Sequence, residues 1–367
     1  MSKILYVIDR PNDYGSEQHL FDVVNYQRRY HTVRVITFRD GPLVDKLRET
    51  GVEVEMIDWL SWLITPGKYR RFIRAIRRFG PDLVHSHQPK AAFYASLLCR
   101  LHRIPHIPTI HALPVQAAAR HRGVMRSIIY AFHTCVIWAT EWLSEQAIYV
   151  SRDAVDQASI RPGRAIMIHN WLSPRFSERQ PSPRNDYKNR YLCVSSIDPS
   201  KGIGELIALF GRLLAEQPAA HLTIVGGGSN ESYRLEIERM IRSSGLEKNI
   251  TLAGYQSDLA DYYNTNDVFI SLTKGESFGL VFVEAMYYGM AVICSDLNIL
   301  REVLHPDNLF IDPETPGIER AITAFVTSGK QAEIAAKNHE WVVERYDYEK
   351  QQRKLAEAYD RILRPAR

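Results

Sequence analysis

Short apolar runs rich in β-branched residues alternate along the chain with stretches of helical composition. Residues 4–9 read as a strand, 17–30 as a helix, 33–37 as a second strand, 41–50 as a segment holding a helix and 52–57 as a third strand. This β-α-β-α-β rhythm predicts a parallel sheet with helices on both faces. Strand-like runs at 82–87, 107–110, 147–151 and 166–170 extend it. Residues 177–190 are polar, contain two prolines and read as a linker. The alternation then restarts at 191–195, 221–225, 250–253, 267–272 and 291–294, and helical segments from 318 to 363 finish the chain. The expected organisation is an N-terminal Rossmann-like domain over 1–176, the linker 177–190, a second Rossmann-like domain over 191–345 and a closing helical stretch over 346–367.

Two helical stretches carry more apolar surface than their neighbours. In 68–80, Tyr69, Phe72, Ile73, Ile76 and Phe79 fall at helical spacing among Lys68, Arg70, Arg71, Arg74, Arg77 and Arg78. Such a helix either packs its stripe on the sheet with a solvated basic face, or adsorbs to an anionic membrane. The stretch 124–143 holds Ile128, Ile129, Tyr130, Phe132, Val136, Ile137, Trp138 and Trp142, with Arg120 and Arg122 before it. Arg126, His133 and Glu141 interrupt it, whereas a membrane span needs roughly 20 predominantly apolar residues. It is either a buried domain helix or a partly exposed one that meets lipid or a lipid-linked acceptor.

A length of 367 residues exceeds what one core usually serves, in keeping with two domains. The four cysteines, Cys99, Cys135, Cys193 and Cys294, are scattered with no C-x-x-C pair, which favours reduced thiols in a cytosolic protein. The opening apolar run is too short and too soon acidic for a signal peptide. Net charge is only +4, but residues 1–180 carry 25 Lys/Arg against 16 Asp/Glu, and between Asp58 and Glu141 Asp82 is the single acid. The basic half suits an anionic partner: a membrane surface, a lipid pyrophosphate or an acidic glycan. No aromatic-basic motif supports nucleic-acid binding.

Candidate chemistry concentrates after the run 267–272. There the chain reads Lys274-Gly275-Glu276-Ser277-Phe278-Gly279, followed by a helical segment over 280–288 and Gly289 at a plausible C′ position. Ligands of open α/β sheets bind at the carboxyl ends of the strands, and the free N–H groups at a helix start favour an anion. Seven residues separate Glu276 from Glu284. An ionised carboxylate accepts through two oxygens and so suits the vicinal diols of sugars and ribose. The plainer alternative is that acids near a helix start simply answer its dipole, for about 0.3–1 kcal/mol. In the first half, His85, His87 and His111 end two strands. Three histidines are able to ligate zinc, but no carboxylate or cysteine joins them at ligand spacing, and no metal is expected. The run Gly226-Gly227-Gly228 is a weak phosphate-loop signal.

The stretch from Gly275 to Gly289 resembles the E-x7-E signature of the retaining glycosyltransferases of family 4. Gly275, Glu276, Phe278, Gly279, Glu284, Ala285, Met286 and Gly289 all match. The resemblance implies an α/β GT-B fold, two Rossmann-like domains whose parallel sheets face a central cleft, with acceptor on the N-terminal domain and nucleotide sugar on the C-terminal one. It implies that Glu284 holds the ribose, that Glu276 contacts the transferred sugar, and that the backbone at Gly279 and Leu280 faces the pyrophosphate. Gly227 and Tyr255 would line the nucleotide, and Gly15 and Ser16 would lie beneath the sugar and acceptor, with Tyr14 and Ser16 departing from the family's Gly-Gly-Ala-Glu loop. His111 would sit near the anomeric carbon, with Ala112 after it in place of the usual glycine, and Trp171 stands where the family has the glycine of Asn-Gly. Lys201 matches the phosphate-neutralising lysine of Gly-Arg-Leu-x-x-x-Lys-Gly, but Ser196 replaces its arginine. The last helix is expected to cross back to the first domain.

The implied activity is transfer of a hexosyl group, with retention and without metal or cofactor, from a nucleotide-sugar co-substrate to a hydroxyl of a glycan or lipid-linked acceptor. Assembly of surface polysaccharide is the implied setting, in the cytoplasm or peripherally on the inner face of the membrane. Ser196 keeps a non-catalytic binding subunit open, and the fold keeps a nucleotide-sugar epimerase or a phosphorylase open.

Overall fold

The computed structural model describes the chain except residues 13, 14, 60, 61, 63, 64, 112, 119–122, 178, 180, 183–186, 229 and 364–367. Tyr14, Ala112, Arg120 and Arg122, each weighed above, lie outside the described residues, as does part of the stretch 177–190. Two compact units emerge. The first comprises Met1–Ala118, Gly123–Ser173 and Tyr348–Arg367; the second contains Pro174–Asp347.

The first unit is built on β1 (Lys3–Ile8), β2 (Thr32–Thr37), β3 (Glu53–Met56), β4 (Leu83–His87), β5 (His106–Ile110), β6 (Ala147–Tyr149) and β7 (Ala165–Met167). They form one sheet in the order β3-β2-β1-β4-β5-β6-β7, every pairing parallel. Parallel strands linked by helices bury both faces, so β1 reads as a continuous apolar run. Its alternate residues serve opposite cores. Ile4, Tyr6 and Ile8 meet Leu20, Val23 and Tyr359, while Leu5 and Val7 meet Phe72, Ile76 and Leu98. The closing helix Tyr348–Leu363 belongs to this unit: the Tyr359 hydroxyl lies 3.3 Å from that of Tyr6 and 2.5 Å from Nδ1 of His85.

The helix Pro66–Phe79 resolves the first of the two open readings. Phe72, Ile73, Ile76 and Phe79 are buried against the sheet, whereas Arg70, Arg71, Arg74, Arg77 and Arg78 are exposed. Its apolar stripe is spent inside the protein. The helix Gly123–Leu143 behaves differently: only Val136, Ile137, Thr140 and Glu141 are buried.

The second unit repeats the plan with β8 (Arg190–Val194), β9 (His221–Val225), β10 (Ile250–Gly254), β11 (Val268–Ser271), β12 (Ala291–Ser295) and β13 (Leu309–Ile311). The order is β10-β9-β8-β11-β12-β13, again all parallel. Tyr191 and Cys193 of β8 pack on Ile203, Leu206 and Phe210 of the following helix. Asp267, just before β11, is buried and clamps the start of β8, accepting from the backbone of Lys188 and Arg190 and from the Arg190 guanidinium. In both units the order reverses beside the first strand of the sheet, the place where doubly wound sheets open a ligand crevice at the strands' carboxyl ends.

Candidate functional site

In the second unit the loops leaving β8 and β11 dock on each other at the carboxyl edge of the sheet. The Lys274 amide donates to Ser200 O at 2.9 Å. Gly202, at φ +66°, lets the two backbones meet, since a Cβ there would lie 2.0 Å from Leu272 O. That close approach carries Lys201 to Glu276, and the two side chains form an ion pair. Thr273 Oγ1 lies 3.5 Å from the same carboxylate oxygen.

Eight residues on, Glu284 sits inside the helix Leu280–Tyr287 and is buried. Its Oε2 accepts from the Tyr263 hydroxyl at 2.7 Å. Burial raises the Glu284 pKa, while the field of Arg175 and the Tyr263 hydrogen bond oppose the rise. Tyr263 is held neutral by burial first and by Glu284 second, so it remains a donor. The helix starts at Gly279, which takes φ +85° and has no room for a side chain, a Cβ there falling 2.7 Å from the Phe282 ring. No side chain caps this start, leaving its amides to an anion. Gly227 follows β9 and packs on Tyr255, whose Cβ would lie 3.2 Å from a side chain at that glycine; Tyr255 itself is exposed. Ser196 is half-buried beside Ser195, at the end of β8.

The first unit gathers different chemistry at the same edge of its sheet. His87 ends β4 and His111 follows β5; His87 Nδ1 and His111 Nε2 are 3.0 Å apart, their rings stacked. His19, one turn into the helix Gly15–Gln27, meets the His111 ring edge-on at 4.6 Å and stacks on Trp171 at 4.1 Å. Burial holds His19 and His87 well below the ordinary histidine pKa, with neighbouring histidines adding to it, and takes His111 to about 3. All three imidazoles are neutral near pH 7. His85 stands apart, both nitrogens being engaged, by Tyr359 OH at 2.5 Å and Thr109 Oγ1 at 2.7 Å. Of the three strand-end histidines, His85 thus stands outside the cluster, and His19 is the ring that joins His87 and His111.

Gly15 and Ser16 open the first helix, and Ser16 Oγ donates to Glu17 Oε2 at 2.6 Å. Glu17 is buried, its pKa raised mainly by desolvation. Its other oxygen accepts from Gln88 Nε2 at 3.1 Å. Gln88 also exchanges two hydrogen bonds with the Arg10 backbone and adopts φ 68°, ψ 144°, a region otherwise nearly restricted to glycine. Strain of about 1–3 kcal/mol held in place by three hydrogen bonds is common where a loop must present its backbone in one way.

The residues singled out from sequence thus form two sets. Lys201, Glu276, Gly279, Leu280, Glu284, Gly227 and Tyr255 share the carboxyl edge of the second sheet; Gly15, Ser16 and His111 share that of the first. His19, Gln88 and Tyr263 were missed. His19 lies four residues after Gly15, so helical spacing puts both on one face. Tyr263 is 21 residues before its carboxylate partner and carries no local signal.

Two doubly wound parallel units, with E-x7-E at the carboxyl edge of the second, define a GT-B glycosyltransferase fold. The family description "Glycosyltransferase Family 4" matches residues 14–176, and "Glycosyl transferases group 1" matches residues 174–341. The chain belongs to this glycosyltransferase family. A phosphatidyl-myo-inositol mannosyltransferase of Mycolicibacterium smegmatis is 26% identical over 65% of this chain and 60% of that protein. A glycogen synthase of Mycobacterium tuberculosis is 26% identical over 67% of this chain and 61% of that protein. The match thus spans about three-fifths of these relatives' lengths. Among solved structures, Anabaena HepE in complex with UDP and glucose superposes with a TM-score of 0.83 at 19% identity, covering 98% of this chain and 100% of that one. Sucrose-phosphate synthase of Thermosynechococcus elongatus gives 0.79 at 17%, covering 99% and 100%.

Proposed function

We propose that the protein transfers a hexosyl group, with retention of configuration, from a nucleotide sugar to a hydroxyl of a glycan or lipid-linked acceptor. The observation that carries this reading is the pairing of Lys201 with Glu276 beside an uncapped helix start, with Glu284 buried behind it. Lys201 and the amides at Gly279 and Leu280 would meet the diphosphate, whose charge grows as it leaves. Glu284 would accept from the ribose hydroxyls and Glu276 from the sugar. His111 would act toward the transferred sugar as a neutral imidazole. Neither a metal nor an enzyme nucleophile has a step in this scheme. The bound nucleotide of HepE supports a nucleoside-diphosphate donor and the phosphatidyl-inositol relative a lipid-linked acceptor; a role in surface-polysaccharide assembly is part of the same proposal.

Thermal-shift titration with nucleoside diphosphates and nucleotide sugars tests the donor half. A ligand at about 100 times its Kd stabilises by about 2.7 kcal/mol. One nucleotide class should shift the wild type and fail with Glu284→Ala. No shift from any nucleotide would sink the donor assignment and favour the non-catalytic reading that Ser196 motivates. Turnover without an acceptor hydroxyl, or with phosphate in its place, would favour the epimerase or the phosphorylase.

A cytoplasmic protein lying peripherally on an anionic membrane is part of this proposal. On the helix Gly123–Leu143, Val124 (77% exposed), Met125, Ile128, Tyr130, Phe132, Trp138 and Trp142 (64%) face solvent, and Trp62 meets Phe132 edge-on at 5.1 Å. Glu141 is turned inward, accepting from Ser159 Oγ and the Ile160 amide. Among the described residues no helix is long and apolar enough to cross a membrane. The exposed apolar face of this helix and the exposed arginines of the helix Pro66–Phe79 suit the interface of an anionic bilayer. Vesicles rich in phosphatidylglycerol should co-float the protein, and Ile128→Glu with Trp142→Glu should abolish co-flotation; equal binding to neutral vesicles would discard the electrostatic part.

A further inference from the structure

The geometry points to a second ligand for the first unit: a divalent transition-metal ion, zinc by its donor set, held by His19, His87 and His111. One nitrogen from each of the three lies within 4.8 Å of the other two. Imidazole nitrogens on a tetrahedral zinc, each about 2.0–2.1 Å from the ion, lie about 3.3–3.4 Å from one another. His87 and His111 already present nitrogens 3.0 Å apart. An ion therefore asks for at most about 1.5 Å of closure, mainly by rotation of side chains.

Three features favour a ligand here over a settled histidine core. Among the described residues His87 is hydrogen-bonded through Nδ1 alone, to His111 Nε2, so the two nitrogens already converge on one point. The nearby pair His85 and His106 shows the contrast: each has both ring nitrogens hydrogen-bonded, His85 by Tyr359 and Thr109, His106 by Ser86 and Ser144. Finally, the three ligands come from separate elements fixed by the sheet. His87 is the last residue of β4, His111 follows β5, and His19 is braced by Trp171, whose Nε1 donates to Asp22 at 3.0 Å. His111 is only half-buried, and a water or an anionic oxygen would complete a tetrahedral ion.

All three nitrogen donors are neutral, a set that suits zinc and disfavours magnesium or calcium. Under the glycosyltransferase reading the ion competes with the sugar for His111, so zinc inhibits transfer reversibly. That consequence rests on that reading; the binding does not.

The test titrates the full chain with zinc by calorimetry and with cobalt by visible absorption, in the wild type, His19→Phe and His87→Gln. Phenylalanine keeps a ring on Trp171 and removes both nitrogens. One ion per chain is expected, with the intense bands of tetrahedral cobalt, and binding at least tenfold weaker in each variant whose melting profile matches the wild type. Absence of stoichiometric binding, or binding unchanged in His19→Phe, overturns the site. If His19→Phe does not fold, His19→Gln decides the same point. In a preparation active in transfer, zinc should lower turnover of the wild type, EDTA should restore it, and His19→Phe should lose zinc sensitivity. Zinc bound without an effect on turnover removes the inhibitory role alone. Zinc bound by a protein without transferase activity leaves the site standing and removes the activity reading instead.

Discussion

The two units share one backbone plan and place opposite chemistry at the same edge of it. The first presents imidazoles: His19, His87 and His111, with His85 and His106 behind. The second presents carboxylates: Glu276 against Lys201 and Glu284 against Tyr263. Burial pushes both kinds of group toward neutrality, imidazoles downward in pKa and Glu284 upward. At the second edge Lys201, the field of Arg175 and the Tyr263 hydroxyl favour charge on the two glutamates; at the first, Lys90 and Arg39 do so for Asp9, while among the described residues the imidazoles have only one another and neutral partners. The lesson is that a doubly wound sheet fixes where ligands approach, while the local supply of partners decides whether the edge is charged or neutral.

Acid should break this comparison most visibly. His19, His85, His87 and His106 have pKa values below their unfolded value of 6.5. The unfolded chain takes up protons below that pH and the folded unit does not. The stability these groups confer is full above pH 6.5 and is lost as pH falls, at up to about 1.4 kcal/mol per histidine per pH unit. In the second unit His221, His305 and His339 are not buried. Five of the six tryptophans lie in the first unit, so tryptophan fluorescence should report its unfolding as pH falls below 6.5 while exchange-protected amides persist in the second. Simultaneous loss of both would refute the assignment.

Gly202→Ala should act on the second unit alone. The added methyl meets Leu272 O and the backbone is left-handed, so a few kcal/mol of stability should go, and Lys201 should part from Glu276. A donor affinity equal to that of the wild type would deny the loop docking its importance.

Glu284→Gln should split stability from binding. A carboxyl with raised pKa confers stability below its unfolded value and loses it as pH rises through the folded one. At neutral pH the amide should therefore raise the melting temperature of the free protein and weaken nucleotide binding at least tenfold. A lower melting temperature would make the carboxylate structural. Tyr263→Phe should leave the carboxylate in place and act on donor binding mainly through pH: binding should fall off at higher pH than in the wild type because the Glu284 pKa rises further once the hydroxyl is gone.

Much of this was legible in the chain. The run around Glu276 and Glu284 announced strand, loop, helix and strand with Gly289 closing the helix, and these elements stand as β11, the helix Leu280–Tyr287 and β12. Such features are local: period, β-branched content and glycine position act within a few residues. The helix Pro66–Phe79 and the helix Gly123–Leu143 looked alike as candidates for lipid contact, and sequence left both open. Only packing separated them, because whether an apolar stripe is buried depends on what the sheet offers it.

The chemistry of each edge divides the same way. The sequence by itself determined the alternation of elements, the two-sheet plan and the spacing of Glu276 and Glu284, since these follow from backbone geometry and nearest neighbours. Tertiary structure alone decided that His19 rather than His85 joins His87 and His111, that Tyr263 holds Glu284, and that Gln88 binds Glu17 across 71 residues. Those pairings depend on strand order in the sheet, which places distant residues side by side and leaves no trace in their separation along the chain.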